Sequence, residues 1–448
     1  MASSMKGMWC GSQEHELSRR TFFGASAGVF AGGLTGLNRL KAPVLADELR
    51  RNQKRVLMLF LNGGASQFET FDPKPGRPTG GPFVSIPTSV PGYQMSELMP
   101  EMAQRIGKYT AVIRSIETKN GDHVDVPLYG GKPTTGVVKF PSLGCMLASE
   151  LANPDSPLPH HVSFTNYLGQ NFFETAGFLG ARWNPLNIQP GRVKPEPPFT
   201  IEDSVVNLAP SGNKLPDFLT DEEHFKRGQL RSFLGKSFAS ENAYDSTLNS
   251  YESAYSKVRG LMDNAHLFSL EGEPQNVIDR YGRTPFGQQA LVARRLIEAG
   301  VPFVRVNRGW WDHHGQNFEF HQEMVPELDM VMSALLDDLN DRGLLEHTLV
   351  LTFSEMGRTP YINSSQGRDH FPRMSVTLSG CGIKPGVIYG KTDKDGQEIV
   401  QDEVNLQQFF ATVFQAVGID HQKENMASDG RPVPLTDYKT EPIREVLA

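Results

Sequence analysis

The chain has 448 residues, of which 38% are hydrophobic and 21% are charged, and its formal net charge is −7. This length and hydrophobic content are ample for a large core, in one big α/β domain or in a core domain with an insertion. The acidic balance argues against nucleic acids and anionic membrane surfaces as partners.

The N-terminal segment has the features of a twin-arginine (Tat) export signal. Arg19 and Arg20 lie in the sequence SRRTFF, a weakly apolar Gly/Ala stretch follows, and residues 44–46 suit a cleavage site. That stretch is shorter and less apolar than the roughly 20 residues of a membrane-spanning helix, and no other stretch predicts a span. We expect residues 1–46 to be a signal read by the Tat translocase. The mature bacterial protein then begins near Asp47, in the periplasm or outside the cell.

Two cysteines, Cys145 and Cys381, remain after removal of the signal. In an oxidising compartment they could form a disulfide, and two buried free thiols are an equally good interpretation.

The first predicted element is a buried strand over residues 55–61 (RVLMLFL), a continuous apolar run typical of a central parallel strand. It leads into Gly63 and Gly64, which let the backbone turn tightly and come close to a ligand. Ser66 is the first hydroxyl beyond them and a candidate nucleophile. Gly-Gly-x-Ser also fits a plain turn, and only its position after the first strand favours a functional reading.

The next predicted elements are a loop over 76–94, helices over 95–106 and 142–151, and strands over 109–113 and 160–164. His123 follows the second strand and fits a site residue or a loop histidine equally well. His160 and His161 open the third strand, the end opposite to where catalytic groups lie in open α/β sheets, which predicts a structural role.

Residues 166–210 mix aromatic, Gly and Pro residues, as in a loop region or lid that faces a substrate. Residues 221–281 are polar, have a helical pattern and interrupt the alternation of strands and helices. We predict that they form a helical insertion within one domain over residues 47–448.

The stretch VPFVRVNRGWWDHHG at 301–315 is the strongest functional signal. A helix over 287–300 ends at a glycine suited to a left-handed cap, and an apolar strand follows at once. Asp312 and His314 come just past that strand and, two residues apart, point to one side of an extended segment. These residues indicate a metal or catalytic site, although a solvated histidine loop is the alternative.

The remaining predicted elements are an amphipathic helix over 324–339, a buried strand over 348–353, short strands over 375–378 and 387–388, and a helix over 406–417. Glu355 and Arg358 come directly after the strand over 348–353. Arg368, Asp369 and His370 follow in a later loop.

The alternation predicts an α/β fold with a doubly wound, mostly parallel sheet that gathers these polar clusters at one edge. Carboxylates and imidazoles without thiolate are ligands for zinc, manganese or a similar divalent metal, one or two ions. Two ions about 4 Å apart can drive an in-line displacement at phosphorus or sulfur. Arg358 or Arg368 could clamp an anionic substrate, or could form structural salt bridges with Glu355 and Asp369.

The chain resembles exported proteins of domain-of-unknown-function family 1501. The resemblance covers almost all of the mature chain and rests on the twin-arginine signal and on five motifs: Gly-Gly-Ala-Ser-Gln with Phe-Asp-Pro-Lys-Pro, Trp-Asp-x-His-Gly, Glu-Met-Gly-Arg-Thr-Pro, Gly-Arg-Asp-His-Phe-Pro, and Gly-x-x-Tyr-Gly-x-Thr-Asp. That family is similar in fold to alkaline phosphatases and sulfatases. The resemblance implies a fold of that type and leaves the substrate open.

The resemblance places metal ligands at Asp312, His314, Glu355, Asp369 and His370. His313 stands at the variable position of Trp-Asp-x-His. Two departures weaken the comparison with sulfatases and phosphatases. A neutral amide, Asn62, stands where their first metal-binding Asp is usual, and neither mature cysteine lies in the pattern that becomes formylglycine. Ser66 is therefore the best candidate nucleophile.

Two functions are compatible with these features. The first is an exported metal-dependent hydrolase of phosphate or sulfate esters, acting on an anionic small molecule or polysaccharide. The alternative is a non-catalytic exported protein of the same fold that binds polysaccharide through aromatic residues at Tyr167, Phe172, Phe173 and Trp183. Clustered ionisable groups at positions 312, 314, 369 and 370 are costly without a partner, which favours the first.

Overall fold

The computed structural model describes residues 53–153, 156–165, 172–189, 191–192, 205–206, 208–210, 220–241 and 259–448. The predicted signal at 1–46 and part of the predicted insertion at 221–281 lie outside these residues. A compact unit extends from Arg51 to Ala448.

The strands in the described residues are β1 Arg55–Leu61, β2 Ser85–Pro87, β3 Gln94–Ser96, β4 Thr110–Glu117, β5 His161–Phe164, β6 Leu186–Ile188, β7 Gly191–Arg192, β8 Val205–Val206, β9 Phe303–Arg308, β10 Thr348–Phe353, β11 Gly357–Arg358, β12 His370–Phe371, β13 Arg373–Gly380, β14 Ile388–Tyr389, β15 Lys391–Thr392, β16 Ile399–Gln401, β17 Val404–Asn405, β18 Glu424–Met426 and β19 Pro432–Pro434.

The helices are α1 Pro100–Tyr109, α2 Leu143–Leu151, α3 Asp221–Glu241, α4 Gln275–Tyr281, α5 Pro285–Ala299, α6 Asn317–Asp341 and α7 Leu406–Ala416. Within the described part of the chain, no helix has the length and apolar character needed to cross a membrane.

The central sheet has the strand order β14-β4-β13-β10-β1-β9-β5-β6, with β17 beside β4. β13 is antiparallel to β10 and to β4, and the other strands of the sheet share one direction. This arrangement confirms the predicted α/β class with a mostly parallel sheet.

β1 is buried on both faces, as its continuous apolar sequence predicts. Leu57 and Leu59 pack in a core with residues of α1, α5 and α6. Val56 and Met58, on the opposite face, pack in a second core with residues of α2 and α7. Helices therefore cover the sheet on both sides, and functional groups are left to the sheet edges.

The local signals around α5 explain how β9 is placed. Thr284 caps the helix by accepting a hydrogen bond from the Gly287 N–H, and Pro285 occupies the first turn. Gly300 ends the helix with φ of 104°, as the sequence predicts, and the chain enters β9 three residues later.

Several boundaries differ from the sequence predictions. α6 begins at Asn317 rather than 324 and continues through Pro326, because a proline ten residues into a long packed helix is tolerated by its tertiary contacts. α1 begins at Pro100, because residues 94–96 pair with β2 instead. Cys145 and Cys381 are buried free thiols.

Candidate metal centre

Several chain segments meet at the carboxyl edge of the sheet. β1, β4, β9 and β10 all end there because they run in one direction. β13 runs the opposite way, so the residues before its start reach this edge. Asp369 and His370 therefore join the residues that follow β4, β9 and β10.

Asp312 is the centre of the cluster. Its Oδ2 lies 3.0 Å from Nε2 of His123. Its Oδ1 lies 3.1 Å from Nε2 of His314 and 3.3 Å from Nε2 of His370. The Nε2 atoms of His314 and His370 are 3.0 Å apart. Three imidazoles thus turn the same ring nitrogen toward one carboxylate.

Two of these imidazoles have a carboxylate behind them. Oε1 of Glu355 is 3.1 Å from Nδ1 of His123, and Oδ1 of Asp369 is 2.6 Å from Nδ1 of His314. A carboxylate on Nδ1 fixes the tautomer and orientation of the ring and makes Nε2 more basic, which is the usual outer partner of a metal-bound histidine.

The glycine pair after β1 lets that loop pack against the segment that carries Asp312. Gly63 has φ of 112°, and a Cβ there would lie 2.8 Å from the backbone nitrogens of Trp311 and Asp312. The Gly63 N–H donates to Oε1 of Glu355 at 2.8 Å. The sequence predicts that these glycines let the backbone come close to a ligand. In the structure, Gly63 instead comes close to the backbone of Trp311 and Asp312.

Arg358 is completely buried and holds Asp312 in place. Its Nη2 donates to Oδ1 of Asp312 at 2.6 Å and also to the carbonyl of Gly63. Nε donates to the Gly64 carbonyl at 2.9 Å, and Nη1 to the Arg368 carbonyl at 3.0 Å. With these partners, the Arg358 guanidinium positions the carboxylate of Asp312.

Arg368 and Ser66, the other two candidate catalytic residues, are also buried. Nη2 of Arg368 lies 2.8 Å from Oε1 of Glu69. Oγ of Ser66 accepts a hydrogen bond from the Phe68 N–H at 3.3 Å and also pairs with Glu69. Nε of Arg368 also donates to Oε1 of Glu69, at 3.0 Å, and its Nη1 and Nη2 groups donate to the carbonyls of Thr79, Thr359 and Pro360.

The electrostatics of the cluster favour a cation. Hydrogen bonds to Asp312 and Glu355 raise the pKa of His123 to about 9. Burial alone would raise the pKa of Asp312, but hydrogen bonds from His123 and Arg358 hold it well below its usual range. Burial and the positive Arg358 lower the pKa of His370. The carboxylates of Asp312 and Glu355 thus stabilise a positive charge on the His123 imidazole that lies between them.

Strained backbone concentrates around the cluster. The non-glycine residues with positive φ include Lys119 at 58°, Trp310 at 73°, Gln316 at 52° and Gln366 at 58°. Each lies within four residues of one of the three histidines or Asp312. Such conformations cost of order 1–3 kcal/mol each and accumulate where a precise arrangement of side chains is maintained.

The donor atoms fit a divalent metal ion. Ligand atoms of His123, Asp312 and His370 all lie within 4.8 Å of one another. Oδ1 of Asp312 and the Nε2 atoms of His314 and His370 form a tighter triangle with sides of 3.0, 3.1 and 3.3 Å. Neighbouring ligands of one ion have similar spacing when its bonds are about 2.1 Å long. Imidazole and carboxylate without thiolate suit zinc or manganese.

The residues predicted as ligands fall into two groups, those that face the centre of the cluster and those that lie behind an imidazole. Glu355 and Asp369 lie behind imidazoles. His123, which the sequence allows as a site residue or as a loop histidine, lies in the cluster. The signal for this role is its position after β4, a strand that ends at this edge of the sheet. The predicted ligands that present an atom to the centre are Asp312, His314 and His370.

His313 does not join the cluster. It is buried and stacked on Phe320, with ring centroids 4.3 Å apart. Burial lowers its pKa to about 2, so it is neutral. Its neighbour in sequence, His314, is 46% exposed.

The aromatic residues considered for polysaccharide binding are dispersed. Phe172 is buried against Phe60, with ring centroids 6.1 Å apart. Phe173 is exposed, and Trp183 packs against His160. Tyr167 lies outside the described residues.

Comparison with protein families gives one match, over residues 53–447, to a model described as a protein of unknown function, DUF1501. A search of curated proteins found no match.

Solved structures similar to the chain include a sulfatase from Pseudoalteromonas sp., with 12% identity, a TM-score of 0.36, and coverage of 84% of this chain and 69% of the other. A protein of the alkaline phosphatase superfamily from Vibrio parahaemolyticus has 9% identity, a TM-score of 0.36 and coverage of 82% and 67%. The lipoteichoic acid synthase LtaP from Listeria monocytogenes has 9% identity, a TM-score of 0.35 and coverage of 83% and 73%. Similarities of this size carry no argument about activity.

Proposed function

Because this chain belongs to the DUF1501 family, whose function is unknown, we propose an activity from its own site: an exported, divalent-metal-dependent hydrolase of phosphate or sulfate esters. One observation carries the proposal. The Nε2 atoms of His123, His314 and His370 converge on the carboxylate of Asp312 at 3.0–3.3 Å.

His123, Asp312, His314 and His370 would hold the metal, with zinc or manganese as the best-suited ions and one or two ions in the site. Such an ion supplies Lewis-acid stabilisation of an ester oxygen and a nucleophile at neutral pH.

The chain's own groups organise that centre. Arg358 fixes the carboxylate of Asp312 from the buried side. Glu355 and Asp369 orient two imidazoles through their Nδ1 atoms. His314 and Asp369 are about half exposed and form the open side, where an ester would enter. In the reaction, an oxygen of water bonds to phosphorus or sulfur, the ester bond breaks, and the alcohol leaves with a proton.

Export completes the proposal. The SRRTFF segment and the stretch after it support removal of residues 1–46 and passage through the Tat translocase to the periplasm or the cell exterior. The substrate would then be an anionic small molecule or polysaccharide outside the cytoplasm.

One observation favours the alternative, a non-catalytic protein of the same fold. The hydroxyl of Ser66 and the guanidinium groups of Arg358 and Arg368 are all engaged inside the fold. The hydrolase proposal therefore assigns no contact with the substrate to these three residues.

Elemental mass spectrometry of mature protein purified without chelator tests the metal centre. We expect one or two equivalents of zinc or manganese, lost in His314→Ala and retained in His266→Ala, which removes an exposed histidine elsewhere. Hydrolysis of 4-nitrophenyl phosphate or sulfate that stops on chelation would support the activity. A folded protein without metal would contradict the mechanism, and metal without hydrolysis of esters would favour the alternative.

A further inference from the structure

A groove of about 560 Å³ lies beside the metal centre. The loop between β1 and β2 lines it with Arg77 and Pro82. The first turns of α6 line it with Glu319 and Gln322, and Gln366 lines it as well. A cavity of this size accommodates a ligand of one or a few rings.

The loop before β12 connects the groove to the metal centre. Nδ2 of Asn363 donates to the His314 carbonyl at 2.9 Å and to Oδ1 of Asp369 at 3.3 Å. Its neighbours Ile362 and Gln366 line the groove. One short loop therefore presents residues to both places.

The two places are also close in space. Gln366 forms a β-bridge with Gly315, and its carbonyl accepts from the Asn317 N–H at 3.0 Å. Since bridged Cα atoms lie about 5 Å apart and consecutive ones 3.8 Å, the Cα atoms of Gln366 and His314 are within roughly 9 Å. A substrate of two or three rings spans that distance.

The lining favours a neutral ligand with many hydroxyl groups. The exposed amides of Gln322 and Gln366 offer both donors and acceptors. Arg77 is already paired with Asp395 at 2.7 Å, and Glu319 adds a negative charge, so the groove has no excess of positive charge for a polyanion. Pro78 and Pro82 supply most of the apolar surface, and Phe318, which is 9% exposed, adds a small part.

We propose that this groove binds neutral sugar residues, so that the ester hydrolysed at the metal centre is carried by a saccharide. The role as a substrate subsite rests on the proposed function, whereas sugar binding itself does not. The amides hold ring hydroxyls, the prolines and Phe318 contact the apolar faces of the rings, and the esterified residue extends past Gln366 toward His314.

The test is isothermal titration calorimetry of metal-depleted mature protein with cellotetraose, xylotetraose, chitotetraose, maltotetraose and laminaritetraose. At least one is expected to bind. Gln322→Ala and Gln366→Ala are each expected to weaken that binding about tenfold. Gln104→Ala, which removes an exposed helical glutamine of α1, should bind like the wild type.

The inference is overturned if none of the five sugars binds, or if sugars bind equally well to wild type and to both glutamine variants. The use of metal-depleted protein separates sugar binding from ester hydrolysis, because sugar binding is measured whether or not the protein is a hydrolase.

Discussion

Two histidine–carboxylate clusters lie at different edges of the same sheet and differ in almost every physical respect. The candidate metal centre lies at the carboxyl edge, and its side chains are partly exposed, with His123 at 23% and His314 at 46%. The second cluster contains Cys145, His161 and Glu174, all buried, near the start of β5.

In the buried cluster the polar groups neutralise one another. Nη1 of Arg305 lies 2.7 Å from Oε2 of Glu174, and Nε2 of His161 lies 3.6 Å from the same oxygen. Sγ of Cys145 is 3.7 Å from Nδ1 of His161. Burial raises the pKa of the Cys145 thiol, so it is not a nucleophile.

The comparison shows that residue types alone do not identify a site. Both clusters combine imidazole and carboxylate. The cluster at the carboxyl edge differs because three imidazoles turn Nε2 toward one carboxylate, that of Asp312, and solvent reaches these side chains. In the buried cluster a guanidinium takes the place that a cation would occupy, as expected for a structural ion pair. The prediction of His161 as structural agrees with this arrangement.

The largest expected effect concerns the buried cluster. Arg305→Met leaves Glu174 as an unpaired buried charge, which costs about 3–5 kcal/mol of unfolding free energy. Metal content should not change, because the metal centre lies at another edge. Urea denaturation and elemental analysis measure both quantities. Loss of metal at unchanged stability would reverse the assignment of the two clusters.

The next effect concerns a proposed ligand of the candidate metal centre. His370→Ala should lower metal affinity by more than about 100-fold, which exceeds the usual loss for an outer partner. His161→Ala, the same change in the buried cluster, should keep the metal and reduce stability. Competition with a fluorescent chelator measures affinity, and equal affinities for the two variants would remove the distinction.

A smaller effect separates ligands from outer partners. Glu355→Gln keeps an acceptor for Nδ1 of His123 but loses the charge, so metal affinity should fall about 10–100-fold. Glu346→Gln, an exposed position, serves as the control. A loss as large as that of His370→Ala would instead make Glu355 a direct ligand.

The smallest effect concerns Asp329, a buried carboxylate bonded to backbone N–H groups, and the pH dependence of stability that it causes. Asp329 accepts from the backbone N–H groups of Glu101 and Met102 at 2.9 and 2.7 Å, and burial raises its pKa to about 6. The native state therefore binds more protons than the unfolded state between about pH 4 and 6. Stability should fall as pH rises through this window, by on the order of 1–2 kcal/mol.

Asp329→Asn should remove this dependence, and Asp263→Asn, an exposed position, should keep it. Chemical denaturation of chelator-treated protein at pH 4, 5 and 6 measures it. An unchanged pH profile in Asp329→Asn would show that a group other than Asp329 causes the dependence.

The sequence predicts Asp312, His314 and His370 at the candidate site because each lies close to the end or the start of a buried strand, and the structure brings these three side chains together. It also predicts Glu355 as a ligand, and the structure places this carboxylate behind His123. Adjacency to a strand end does not show which imidazole lies in front of a carboxylate.

The sequence by itself determined the α/β class, the buried strands and the edge where polar residues gather, because apolar periodicity and glycine caps are local properties. Only the tertiary structure decided that β13 is antiparallel, which brings His370 to that edge, and that Arg358 holds Asp312 from within. It also decided that Arg368 pairs with Glu69. Those outcomes depend on which segments, far apart in the chain, pack together, and no local pattern encodes a distance between them.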